Sequence, residues 1–134
     1  MPVFPSKDWV ASFIEEINRN KKYEDAAKDW EGDFNFVVEK DQKFPETVYI
    51  YLDLYHGKCR GGSLYKSNEA PKAAFNYSGP YQNWIRLIKG EFDPLKAVLV
   101  GKFKLKGSMM KIMRYTGAAK ELVRTANLVD TQFQ

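Results

Sequence analysis

A chain of 134 residues is long enough to bury one ordinary hydrophobic core without disulfides or metals to staple it. With one cysteine it can form no intrachain disulfide, and with one histidine as well it cannot assemble a zinc ligand set. The net charge of +4 comes from basic residues scattered among 17 acidic ones, a balance that argues against a dedicated nucleic-acid binder and permits, without requiring, transient contact with an anionic membrane surface.

In chain order, Ser6 is placed to cap a first helix. Trp9, Val10, Phe13, Ile14 and Ile17 fall on one face of it, as in any helix packed on a core. A short second helix is expected over Tyr23 to Asp29, ending before Gly32. Three strands follow. Phe34, Phe36 and Val38 alternate in Phe34 to Lys40, and Val48, Ile50, Leu52 and Leu54 alternate in Thr47 to Tyr55. His56-Gly57 then reads as a tight hairpin turn into Lys58 to Tyr65. Gly61-Gly62 inside the third strand predicts a bulge or a close approach of another backbone. A fourth strand is expected at Ala73 to Tyr77, and Ser78-Gly79-Pro80 is expected to start a helix with Tyr81, Trp84, Ile85 and Ile88 on one face, closed by Gly90.

Gly90 to Tyr115 is the most distinctive stretch. Asp93-Pro94 is a helix start, a side-chain cap followed by a residue with no amide to satisfy, and Leu95, Val98 and Leu99 recur at helical spacing. After Gly101, Lys102 to Lys106 alternates as a half-buried strand, and Gly107 ends it. Ser108 can cap a helix carrying Met109, Met110, Ile112 and Met113. The last helix opens at Thr116-Gly117 with Ala119, Leu122, Val123 and Ala126 as its apolar stripe, and the tail beyond Val129 is expected to fray. Grouped strands rather than strict strand–helix alternation predict an α+β fold with a five-stranded, mainly antiparallel sheet covered by helices, in a single domain spanning residues 1–134.

The chemistry-bearing residues are sparse. His56 and Cys59 flank the hairpin turn, where an ordinary turn explains both better than a catalytic pair does. No glycine pattern for phosphate binding occurs, and pairs such as Glu15-Glu16 sit on a solvated helix face. No catalytic residue, metal or cofactor is therefore expected. Lys102, Lys104 and Lys106 read first as lysines guarding an edge strand against aggregation, and second as a small basic patch for an anionic surface. The methionines are core filler by default, but they also suit a cavity that must adapt to a flexible apolar ligand. The carboxyl half carries more apolar faces than one sheet can cover.

The residues from Leu64-Tyr65-Lys66 and Ala70-Pro71-Lys72-Ala73, through Leu87 to Ala97, Gly101 to Gly107 and on to Met109 and Met113, resemble the sterol carrier protein 2 family, also called the sterol-transfer domain family. The glycine-bounded basic strand followed by a methionine-containing helix is the most specific part. The resemblance covers roughly Val48 to Val123. It implies a sandwich with an apolar tunnel between a five-stranded sheet and its helices, non-enzymatic binding or transfer of a fatty acid, fatty acyl-CoA or sterol-like lipid, and a tunnel wall drawn from Trp84, Ile88, Leu95, Leu99, Phe103, Met109, Met110 and Met113. The many aromatics, among them Tyr49, Tyr51, Tyr55, Phe75, Tyr77 and Tyr81, favour a flexible chain over a rigid sterol. An unfilled void of about 300 Å³ would cost some 7 kcal/mol, so such a tunnel is expected to be partly collapsed, hydrated or loaded with lipid. A cytoplasmic protein, monomeric or a weak homodimer, is the expectation. The alternative keeps the fold as an interaction or dimerisation module without a lipid.

Overall fold

A computed structural model describes residues 1–133. Its main sheet has five strands in the order β4-β3-β2-β5-β6: β2 (Phe34–Glu39), β3 (Val48–Tyr55), β4 (Lys58–Lys66), β5 (Phe75–Pro80) and β6 (Lys104–Lys106). Three of its four junctions are antiparallel and the one between the central strand β2 and β5 is parallel. The helices are α1 (Lys7–Arg19), α2 (Lys21–Ala26), α3 (Tyr81–Ile88), α4 (Pro94–Leu99), α5 (Met109–Met113) and α6 (Thr116–Leu128). None of them is long and apolar enough to cross a membrane. The α+β architecture is the one expected.

Local chemistry explains most boundaries. The Ser6 side chain accepts the Trp9 amide at the start of α1, Asp93 accepts those of Leu95 and Lys96 ahead of Pro94, and Ser108 accepts that of Lys111. His56 and Gly57 both take positive φ, 49° and 80°, as a two-residue hairpin turn demands. The β3–β4 register slips between Leu52 and Leu54, and a Cβ on Gly62 would lie 2.1 Å from the Tyr51 carbonyl oxygen, so the glycine marks both a bulge and a close approach.

Five expectations need correction. The second helix starts and ends earlier than Tyr23 to Asp29, because Asn20 caps it through the Lys22 and Tyr23 amides. Ser78-Gly79-Pro80 does not start a helix. It continues β5, because the parallel pairing with β2 extends through Glu39↔Pro80. The fourth strand accordingly begins at Phe75 rather than Ala73. Lys102 and Phe103 are not strand, since both amides are drawn back to the Ala97 carbonyl at the end of α4. Finally, the tail beyond Val129 does not fray as far as Phe133, the last described residue. Gln132–Phe133 forms β7, which pairs in parallel with β1 (Val3–Phe4), and the Trp9 indole donates to Thr131 Oγ1 at 2.8 Å.

Candidate functional site

Between the sheet and the helices lies an apolar cavity of about 90 Å³. Its floor is a row of side chains set by strand alternation and register. Phe36 sits opposite Ile50 on one side and Tyr77 on the other, with Phe34 two residues and Leu54 four residues along their strands on the same face. Its roof is the stripe of α6, where Ala118, Ala119 and Ala126 stand beside Leu122 and Val123. Those alanines are the reason for the space: helix and sheet are held apart by larger neighbours, and a methyl group cannot reach the floor. Trp9 and Phe13 of α1, with Phe4 and Tyr23, close one end. Trp84, Leu87 and Ile88 of α3 and Pro94 and Leu95 of α4 form another wall, and Trp30, Ile112 and Tyr115 complete the lining.

Three of the lining aromatics turn their polar atoms into the walls. Trp84 Nε1 donates to the Val37 carbonyl at 2.9 Å, Tyr77 Oη to that of Pro94 at 2.7 Å, and Trp30 Nε1 to that of Gly32 at 2.9 Å. What faces the space is therefore almost wholly carbon. Burial pushes the phenols of Tyr23 and Tyr77 well above the usual tyrosine range, so both stay neutral and neither offers a proton-transfer group.

Alongside runs an open polar cleft that shares Pro94 and Val123 with the cavity lining and adds Lys89, Asp93, Lys120, Arg124 and Asn127. Lys120 Nζ lies 3.6 Å from Asp93 Oδ2. Burial works to raise the Asp93 carboxyl, but the Lys96 and Leu95 amides and Lys120 outweigh it and hold the group below the ordinary carboxylate range. Asp93 is thus a single carboxylate among three cations lining the cleft.

Of the residues expected in the tunnel wall, the structure brings Trp84, Ile88 and Leu95 to the cavity. Phe103 is buried beside it, stacked on Tyr77 at 4.7 Å and edge-on to Trp84 at 5.2 Å, as support for the wall rather than lining. Leu99, Met109, Met110 and Met113 differ from that expectation in placement: all four are exposed and none lines this cavity. A five-residue helix has room for one inward position, and in α5 Ile112 takes it. The sheet floor and the alanine roof were missed as a site. Alanines recurring on the face of α6 opposite a sheet of large aromatics were the available signal.

His56 and Cys59 do not come together as a catalytic pair. His56 Nε2 lies 2.7 Å from Glu31 Oε2 at the surface, while the Cys59 thiol is buried, donates to the Gly61 carbonyl, and is pushed up by that burial, the opposite of an activated nucleophile. No group of three or more metal-ligating side chains occurs among the described residues.

A family model, the SCP-2 sterol transfer family, matches residues 13–120. A crystal structure of sterol carrier protein 2 is 32% identical with a TM-score of 0.86, the match covering 92% of this chain and 97% of that one. The solution structure of a conserved hypothetical protein from Thermus thermophilus, described as possibly a sterol carrier protein, is 31% identical, also at 0.86, covering 95% and 90%. Sterol carrier protein-2 from Aedes aegypti, solved in complex with the C16 fatty acid palmitate, shares the fold at 14% identity and a TM-score of 0.52, over 87% and 96%. No curated protein matches the chain by sequence.

Proposed function

Because the chain belongs to the SCP-2 sterol transfer family, we propose that it is a non-enzymatic carrier of a single-chain lipid, a fatty acid or fatty acyl ester, whose apolar chain enters between α6 and the sheet. The observation that carries this reading is the cavity itself, a space lined by carbon in which the lining indoles and the Tyr77 phenol turn their polar atoms into the walls. A packed interior would have favoured an interaction module instead.

Size limits the ligand's fit. At roughly 10–15 Å³ for each water-sized group, about 90 Å³ admits some six to nine methylenes. A sixteen-carbon chain therefore requires α6 to lift from the sheet. Burial at ~0.8 kcal/mol per methylene supplies roughly 12 kcal/mol for such a chain, against about 4–15 kcal/mol for association and ordering. Leaving the present space unfilled costs only about 2 kcal/mol at ~24 cal/mol per Å³, which the fold can bear. The polar cleft suits the other end of the ligand: Lys89, which forms no ion pair among the described residues, can neutralise a carboxylate or phosphate emerging past Pro94 and Val123, with Lys120 and Arg124 joining it by exchanging their partners Asp93 and Glu121.

The test is mass spectrometry of an organic extract of the purified protein, together with titration of a fluorescent fatty acid. Leu95→Glu, which puts a charge at the cavity wall, is expected to abolish titration. Met109→Glu, outside the cavity, is expected to leave it intact. Folded Leu95→Glu protein that binds like the parent would refute the placement of the chain.

A further inference from the structure

From Pro94 to Lys120 the chain contains no acidic residue and seven basic ones: Lys96, Lys102, Lys104, Lys106, Lys111, Arg114 and Lys120. The rest of the molecule holds the other 14 basic residues against all 17 acidic ones, so the mild overall charge conceals a segregated one. The same stretch places on the surface Leu99 (78% exposed), Val100 (69%), Met110 (75%), Met113 (52%) and Met109 (39%). These are five of the eight large hydrophobic residues exposed among the described residues. They follow one another from the tip of α4, along β6, which pairs only with β5 and so forms the sheet edge, to α5.

We propose that this edge, the α4 tip, β6 and the outer face of α5, is a docking surface for an anionic lipid bilayer. Charge complementarity selects that partner. The side chains of Lys96, Lys102, Lys104, Lys106 and Arg114 form no ion pair among the described residues, while Asp93, the cap of α4 next to the stretch, is taken up by Lys120, and the Glu31 carboxylate faces Lys111. Lys111 is turned inward, its ammonium 5.0 Å from the Trp30 ring centre and donating to the Glu31 carbonyl. Unpaired cations interleaved with exposed methionine and leucine fit a headgroup region over an acyl layer. A second copy of the chain would bring like charges together, and single-stranded nucleic acid calls for exposed stacking rings that this surface does not present. The inference rests on the carrier reading in one respect. The inner sides of α4 and α5 supply Pro94, Leu95 and Ile112 to the cavity, so docking here sets the cavity wall against the membrane.

The full chain is tested by flotation with phosphatidylcholine vesicles, with and without phosphatidylserine. Binding is expected only to the anionic vesicles, falling steeply as salt rises from about 0.1 M to about 1 M and the screening length shrinks from about 10 Å to about 3 Å. Lys104→Gln with Lys106→Gln is expected to lower partitioning about thirtyfold, from ~1 kcal/mol per basic residue at the surface. Met110→Ser with Met113→Ser is expected to weaken it further, while Lys7→Gln with Lys28→Gln leaves it unchanged. Fatty-acid titration in solution should be the same in all of these variants. Absent or salt-insensitive vesicle binding overturns the proposal. So does unaltered vesicle binding by the edge variants, salt-sensitive binding of duplex nucleic acid in place of vesicles, or a dimer in sedimentation that the edge variants dissolve. Vesicle docking without fatty-acid binding overturns the carrier reading and leaves the docking surface standing.

Discussion

Filling the roof of the cavity should stabilise the protein and weaken its ligand at the same time. Ala118 is buried on α6 and lines the space, and Ala118→Leu adds three carbons there without leaving a helix-favouring residue type. At the same roughly 10–15 Å³ per methylene, about a third to a half of the 90 Å³ is filled, which recovers at most about 1 kcal/mol at ~24 cal/mol per Å³. At ~2.1 cal/mol/K per residue, that raises the melting temperature of this 134-residue chain by roughly 4 °C. A less perfect fit gives a smaller gain, because added methylenes that force poor rotamers give some of it back. The same three carbons displace about three methylenes of an acyl chain, and at ~0.8 kcal/mol each the loss is roughly fiftyfold in affinity. Thermal unfolding followed by circular dichroism and displacement of a fluorescent fatty acid read the two effects separately. A variant that melts lower than the parent yet binds as tightly would sink the reasoning, since it would mean that the gap under α6 is neither a true void nor the place where the chain goes.

The bulge offers a sharp contrast between adjacent glycines. Gly62→Ala drives a Cβ to within 2.1 Å of the Tyr51 carbonyl oxygen and should cost more than about 3 kcal/mol, whereas Gly61→Ala meets nothing within 4 Å and should stay within about 0.5 kcal/mol, both by urea unfolding. Tyr51 provides a pH test. Its hydroxyl donates to Asp33 Oδ2 at 2.6 Å, and that bond, with burial and the Asp33 charge, pushes its phenol up to about 12 from 10. A raised folded pKa contributes stability that is whole below about pH 10 and lost as pH climbs through about 12, so the parent should lose more stability over that window than Tyr51→Phe does. Parallel curves for the two proteins would show that the bond adds nothing.

Where the fold announces itself in sequence, it does so through short-range chemistry. Ser6, Asp93-Pro94 and Ser108 state helix starts because a cap acts over three residues, and His56-Gly57 states a hairpin because the turn needs two positive φ angles in a row. Long-range choices are silent. Nothing in Ser78-Gly79-Pro80 reveals that β2 will carry those residues onward as strand, and nothing in Val3–Phe4 reveals a partner in Gln132–Phe133. The cavity was half legible. Trp84, Ile88 and Leu95 reach it from helices whose periodicity fixes an inner face, but α5 is too short for periodicity to decide, and its methionines turn outward. The roof is made of alanines, which draw attention only when the ring-bearing strands opposite them are known.

The parallel junction beside the central strand of the sheet governs the order in which the molecule can assemble. β3 and β4 are joined by two residues, a closure of the microsecond class. β2 and β5 pair Phe34 with Phe75 only after everything between them has been looped out, and both α6 and the cavity wait on that pairing for a floor. The entropic barrier of folding therefore falls on the contact that creates the cavity. Substitutions in the β3–β4 hairpin should register in both folding and unfolding rates, while those in the roof, which docks last, should register in unfolding alone.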